Sequence, residues 1–152
     1  MKIIVLAIGK MKPGPTLELL ELYKKHLKTP LEIIEFEPKA SSDFSKRIHQ
    51  ETTFLLSSIP PLSYVIALDE RGQSLTSPDF ALKLNEVRTQ SYKALCFLIG
   101  GADGLSEDVR RRADLLLALG AMTWPHLLVR ALITEQLYRA ESILDNHPYH
   151  RE

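Results

Sequence analysis

Three segments in the second half of the chain hold the residue types and spacings that could do chemistry. The first is Ile99-Gly100-Gly101-Ala102-Asp103-Gly104-Leu105-Ser106, with three glycines within five residues. Glycine permits positive φ and lets a ligand approach the backbone closely. Placed after a buried strand and before a helix, such a turn lies where open α/β sheets bind ligands. A phosphate cradle is a rival reading, but the spacing fits neither the dinucleotide fingerprint nor the P-loop. A tight strand-to-helix connection with no ligand is an equally open reading of the turn alone.

The second segment is Leu119-Gly120-Ala121-Met122-Thr123-Trp124-Pro125-His126. Pro125 suits a helix's first turn, and Thr123 is expected to cap that end. The loop before it offers backbone N–H and C=O groups beside apolar side chains, a surface able to read an adenine edge without charge. His126 is a candidate for catalysis, or a cap or packing residue. The third segment is the tail Asn146-His147-Pro148-Tyr149-His150-Arg151-Glu152. It combines an aromatic ring to stack on a base, an arginine for phosphate, and histidines that titrate near neutral pH. Metal binding by His147 and His150 is a rival, weakened by the absence of a nearby cysteine or spaced carboxylate pair.

These segments need elements to position them. Apolar runs alternate with longer amphipathic stretches, the signature of an α/β fold. Strands are expected at 2–8, 31–36, 64–68, 94–99 and 115–119. Helices are expected at about 16–28, 42–57, 77–89, a short one capped by Ser106, and 125–144. Ser41 or Ser42 is the expected cap of the second helix. Asp69-Glu70-Arg71-Gly72 is expected to turn the chain. The 94–99 run is almost wholly apolar and should be central, covered on both faces. Cys96, inside it, reads as a small buried hydrophobe. The last helix is apolar nearly all round from Leu127 to Ile133, so it should be buried on more than one side, in the core or against a second copy. Arg130 interrupts that segment and would need a carboxylate partner.

The whole chain sets bounds. At 152 residues it fits one domain, 1–152, able to bury a core. Hydrophobic residues at 45% and charged residues at 25% suit a globular domain. No stretch approaches the length of a membrane span, and the first apolar run is too short for a secretion signal. The single cysteine excludes an internal disulfide and suits the cytoplasm. Nineteen basic residues balance nineteen acidic ones, so no global field draws the protein to phosphate. RNA binding would need basic residues gathered on one face; the local candidates are Lys10 with Lys12, Lys24-Lys25 with Lys28, Arg110-Arg111-Arg112, and the tail. Each reads equally as a solvated surface.

The chain resembles the RlmH family of small SPOUT methyltransferases. The resemblance is carried by Val5 to Lys10, Tyr64 to Asp69 with Gly72, Phe97 to Gly101 with Gly104-Leu105-Ser106, Met122-Thr123 with Pro125-His126, Leu128-Val129-Arg130, Glu135 to Ala140, and His147-Pro148-Tyr149-His150. It spans the full length. The Pro-His, Leu-Val-Arg, Glu-Gln and terminal Pro-Tyr-His pieces are its specific part. One departure is Trp124, where leucine is usual.

The resemblance implies an α/β fold of about five mostly parallel strands flanked by helices, with a C-terminal trefoil knot, a rare exception to unthreaded topology. It implies a homodimer through the knot region and last helix. It places S-adenosyl-L-methionine (SAM), with no metal, on Leu68, Gly101, Gly120, Ala121, Met122, Thr123, Trp124 and Pro125. It implies a pseudouridine of 23S rRNA, methylated at N3 on the assembled ribosome, as substrate. Methyl transfer from a sulfonium to an anionic nitrogen cancels two charges, so a dry, aligned site favours it. His150 is then the candidate general base, Tyr149 a stacking platform, and Arg151 a partner for phosphate or the N3 anion. Two other readings compete: a non-catalytic RNA- or ribosome-binding dimer, and a small-molecule SAM methyltransferase.

Overall fold

The computed structural model describes residues 1–41 and 43–151. Five strands form one sheet: β1 (Lys2–Ile8), β2 (Leu31–Phe36), β3 (Ser63–Ser74), β4 (Ala94–Ile99) and β5 (Leu115–Ala118). Their order is β2-β1-β4-β3-β5, and every pairing is parallel. Helices α1 (Pro15–His26), α2 (Phe44–Ser57), α3 (Ser77–Arg88), α4 (Glu107–Arg112) and α5 (His126–Leu144) cover both faces.

The apolar run of β4 decides the centre. All six of its residues are buried, because the strand pairs on both edges and is covered on both faces. One core cluster joins Val5, Ile66 and Phe97 to Phe80 of α3 and to Ile133 and Leu137 of α5. The opposite cluster joins Leu6, Val65 and Leu98 to Leu55 of α2 and Val109 of α4. Cys96 is fully buried there, and burial pushes its thiol up to about 12, so it stays protonated. The last helix packs against both α1 and α3, which explains its broad apolar surface.

Two local expectations give way. The second helix is capped by Asp43, whose side chain accepts from the N–H groups of Ser45 at 3.0 Å and Lys46 at 3.4 Å. Ser41 instead accepts from the Asp43 N–H at 3.1 Å, and Ser42 lies outside the described residues. Nor does Asp69-Glu70-Arg71-Gly72 turn the chain back. The β3–β5 register passes from Leu68↔Leu117 straight to Gln73↔Leu117, so residues 69–72 leave the ladder as a bulge and β3 resumes beyond it. Asp69 holds the excursion by accepting from the Arg71 N–H at 2.8 Å, a local bond that mimics a turn without reversing the strand.

Candidate ligand cleft at the strand ends

The carboxyl ends of β3, β4 and β5 open into a cleft of about 530 Å³, within the usual range for small-ligand sites. Its walls are the Gly-rich turn after β4, the loop between β5 and α5, and the Asp69 bulge of β3. Of the turn's three glycines only Gly104 has a positive φ, 77°, while Gly100 is required by close approach. A Cβ on Gly100 would meet the Gly104 carbonyl oxygen at 2.8 Å. The Gly104 N–H donates back to the Gly101 carbonyl at 3.1 Å and closes the turn. Ser106 then caps α4 through the Val109 N–H at 3.4 Å, as its position in the sequence suggests.

In the second loop Gly120 takes φ 100°, which a side chain would strain. The Trp124 indole N–H donates to the Leu119 carbonyl at 2.9 Å and fastens the loop across its own base. Met122 and Trp124 nonetheless remain 76% and 42% exposed, leaving apolar surface open beside the cleft. Thr123 makes no cap. Pro125 itself occupies the N-cap position of α5, with no side-chain hydrogen bond, because the chain enters the helix directly through the proline.

The cleft gathers Leu68, Gly101, Gly120, Met122, Thr123, Trp124 and Pro125 on its walls, while Ala121 belongs to the same loop but not to the lining. Sequence reasoning left out Asp69 and Arg110, which line it as well. Arg110 donates to Asp69 at 2.7 Å, and that carboxylate is 5% exposed. Burial alone would raise the Asp69 pKa; hydrogen bonds from the Arg71 N–H and the Arg110 guanidinium outweigh it and hold the group below the usual carboxylate range. In the sequence Asp69 stands in a stretch read as a turn and Arg110 in a basic run, and nothing local pairs them.

Each arginine of the triplet has a carboxylate partner within the chain, and the pair made by Arg110 is the buried one. Arg110 pairs with Asp69, Arg111 with Asp108 at 2.8 Å, and Arg112 with Asp114 at 3.6 Å. His126 stands at the rim near Gly9, where a Cβ on that glycine would lie 3.3 Å from its Nε2. Burial first, and then the Arg130 charge, lower the His126 pKa. The neutral ring is therefore favoured.

The tail is placed elsewhere. Tyr149 lines a second cavity of about 580 Å³, between α1 and α5, together with Leu19, Tyr23, Leu132 and Arg139. The Tyr149 hydroxyl donates to Glu135 at 2.8 Å, and burial with hydrogen bonding to Tyr23 and Glu135 pushes the phenol well above its usual range. Arg139 lies 3.2 Å from His150 Nδ1. An arginine can only donate, so Nδ1 accepts and the neutral ring carries its proton on Nε2. That Nε2 is buried and has no partner among the described residues. His150 and Arg151 line neither cavity, so the chain by itself does not bring the tail to the cleft. Leu117, Leu119, Gly120 and Trp124 line both cavities, so the end of β5 and the loop after it separate them. Among the described residues no group of three or more His, Cys, Asp or Glu converges as a metal cluster would.

Comparison with known proteins follows the same lines. A family model described as "Predicted SPOUT methyltransferase" matches residues 1–150. The chain is 48% identical over 151 residues to the Ribosomal RNA large subunit methyltransferase H of Rhodospirillum centenum, covering 99% of each chain. It is 46% identical over 151 residues to the protein of the same name from Paramagnetospirillum magneticum, again covering 99% of each. A solved structure titled "a probable methylase family protein" from Haemophilus influenzae Rd KW20 superposes with a TM-score of 0.57 at 12% identity, covering 99% of this chain and 70% of that one. At that identity the likeness is one of fold.

Proposed function

The chain belongs to the SPOUT methyltransferase family and to the RlmH group within it, and from that premise we propose that it methylates N3 of a pseudouridine in large-subunit ribosomal RNA, on the assembled ribosome, using SAM. The observation that carries the reading is the strand-end cleft walled by the Gly-rich turn and the Gly120–Pro125 loop. Its size and its mixture of backbone polar groups with apolar side chains fit an adenosine and a methionine chain. Exposed Met122 and Trp124 supply the apolar cover.

When bound, SAM supplies an electrophilic methyl group. The residues of the chain bind, orient and manage the proton. Gly101 and the 120–125 loop hold the cofactor against the strand ends, and the Trp124 bond to Leu119 keeps the loop's shape. Asp69, held ionised by Arg110, fixes the bulge on the far wall.

The tail residues are the proposed RNA-facing group: Tyr149 stacks, Arg151 pairs with phosphate or the N3 anion, and His150 takes the N3 proton. In the contact seen here His150 offers Nε2–H, a donor. Its service as a base therefore requires Nδ1 to be freed from Arg139 when substrate arrives. The tail lies at the second cavity of its own chain, and in this reading the complete site forms where the tail of a second subunit meets the cleft. A homodimer through α5 and the second cavity is part of the reading, as is the threading of the C-terminal segment through a trefoil knot. No helix among the described residues is long and apolar enough to cross a membrane.

Calorimetry with SAM tests the cofactor assignment. The chain's single tryptophan, Trp124, gives a second readout, since its fluorescence should change saturably on titration. Mass spectrometry of rRNA from cells lacking the protein, followed by methylation of purified ribosomes, tests the substrate. The internal pairing of Arg110, Arg111 and Arg112, with zero net charge, favours one second reading, a small-molecule methyltransferase. Turnover without any RNA would decide for it.

A further inference from the structure

The Gly-rich turn is braced from below by one face of α2. Arg47 reaches Asp103 at 3.5 Å, and the Thr52 hydroxyl donates to Ser106 at 2.8 Å. Between them, Glu51 is only 6% exposed, although it is a carboxylic acid on a surface helix. Residues 47 and 51 are one helical turn apart and share a face, so the brace follows from helix geometry. A Cβ built on Gly101 would lie 3.3 Å from Glu51 Oε1 and 3.0 Å from Ile8 Cγ2. Gly101 is thus a glycine because of what lies beneath the turn, and a side chain there would lift it. The other carboxyl oxygen, Oε2, is buried with no hydrogen-bond partner among the described residues. Native proteins rarely leave such an atom without a reason, since an unpaired buried acceptor is costly.

We propose that Glu51 is a positioning residue for the cofactor turn: its carboxyl props Gly101 from beneath and sets the depth at which the turn's backbone meets the ligand. The inference rests on the reading of the cleft as a SAM site. Leu55, one turn further along α2, is buried in the core, so Glu51 is held by an anchored helix rather than a mobile surface. The charged groups facing Glu51 are Arg47 from α2 and Asp103 from the turn; β1 contributes the apolar Ile8. Burial first, and then Asp103, raise the Glu51 pKa above the ordinary carboxylate value, with Arg47 opposing. Losing the carboxyl proton places a second negative charge beside Asp103 and competes for Arg47, which loosens the turn. Cofactor affinity should weaken as pH rises through the folded-state pKa of Glu51.

The test combines two readouts on the full-length protein. Amide hydrogen exchange without cofactor should be faster at Gly104, whose N–H closes the turn, in Glu51→Ala than in wild type, and close to wild type in Glu51→Gln. Calorimetry should give Glu51→Ala a SAM dissociation constant about tenfold weaker, a loss of about 1.4 kcal/mol in support of the turn. Its kcat at saturating SAM should be nearly unchanged. Glu51→Gln, which keeps the shape without the titration, should restore the affinity that Glu51→Ala loses and flatten the decline of affinity with rising pH. Should Glu51→Ala fail to fold, Glu51→Gln carries the test through its pH profile. Wild-type binding with unaltered affinity, exchange and pH profile in the variants would overturn the role of Glu51 and leave the SAM reading standing. If the wild-type protein does not bind SAM, the cofactor reading fails and this inference fails with it.

Discussion

The guanidinium of Arg130 on α5 is ion-paired with the carboxylate of Glu35 on β2, 95 residues earlier in the chain. Arg130 is fully buried and also donates to the Ile8 carbonyl at the end of β1 at 2.5 Å. Glu35 in turn accepts from the Met11 N–H at 2.8 Å. The start of the last helix, two strand ends and the loop after β1 are thereby fastened at one point. Removing one partner of such a pair leaves the other charge uncompensated in the interior. Glu35→Ala should therefore destabilise the protein by about 3 kcal/mol in denaturant unfolding. Replacing both, Glu35→Leu with Arg130→Met, should recover much of that loss; a double variant as unstable as the single one would refute the argument.

Gly72, inside the bulge of β3, tolerates no side chain. A Cβ there would sit 2.5 Å from the Leu116 carbonyl carbon and 2.6 Å from the Leu117 nitrogen, both backbone atoms that cannot swing away. Gly72→Ala should cost about 3 kcal/mol, the upper range for overpacking, and shift the edge strand β5. Because β5 leads into the Gly120–Pro125 loop, the same variant should bind SAM more weakly. Thermal unfolding and calorimetry read the two effects separately.

The tail and the cleft are distinct places on one chain, which makes a complementation experiment decisive. His150→Ala and Arg151→Ala should each lower methylation of purified ribosomes by about 100-fold while leaving SAM affinity intact. Gly101→Val should lose SAM binding because its side chain would collide with Ile8 and Glu51 beneath the turn. Mixed dimers of His150→Ala with Gly101→Val should regain activity, since one of their two sites would hold an intact cleft and an intact tail. Mixed dimers as inactive as either parent would place the tail and the cleft of one chain in the same site.

His126 gives the protein a defined response to acid. Its folded-state pKa is lowered from the ordinary 6.5, by burial first and by Arg130 second. For a base whose pKa is depressed on folding, the stabilisation is complete above the ordinary value and is lost as pH falls through the folded one. Melting temperature should therefore drop on acidification below about pH 6.5. A His126→Asn variant, which cannot titrate, should show a shallower fall over that window. Parallel slopes for the two proteins would remove His126 as the cause.

Much of this molecule was legible without coordinates. The apolar run 94–99 announced a central strand because only a strand covered on both faces can bury every side chain. The glycines and Ser106 announced a strand-to-helix turn through backbone freedom and capping, both local properties. Arg130, isolated among apolar residues, announced a carboxylate partner, though not which one.

What local pattern could not supply was partnership across the sheet. That Glu35 meets Arg130 depends on β2 lying beside β1 and on where α5 crosses, and strand order is written nowhere in residue periodicity. The same limit hid Glu51, a helix acid that reads as solvent-facing until the turn after β4 closes over it. It also left Arg110-Arg111-Arg112 open between a phosphate-binding cluster and a solvated surface, because their partners Asp69, Asp108 and Asp114 are assigned only by the fold and the helix. Nor could local pattern say where the tail lies: packing against α1 and α5 sets Tyr149 in the second cavity. Sequence by itself determined which segments are elements and which residues carry chemistry, because propensity, capping and burial period act over a few residues. Which of those residues face one another was decided only by tertiary structure, where contacts between distant segments select the partners.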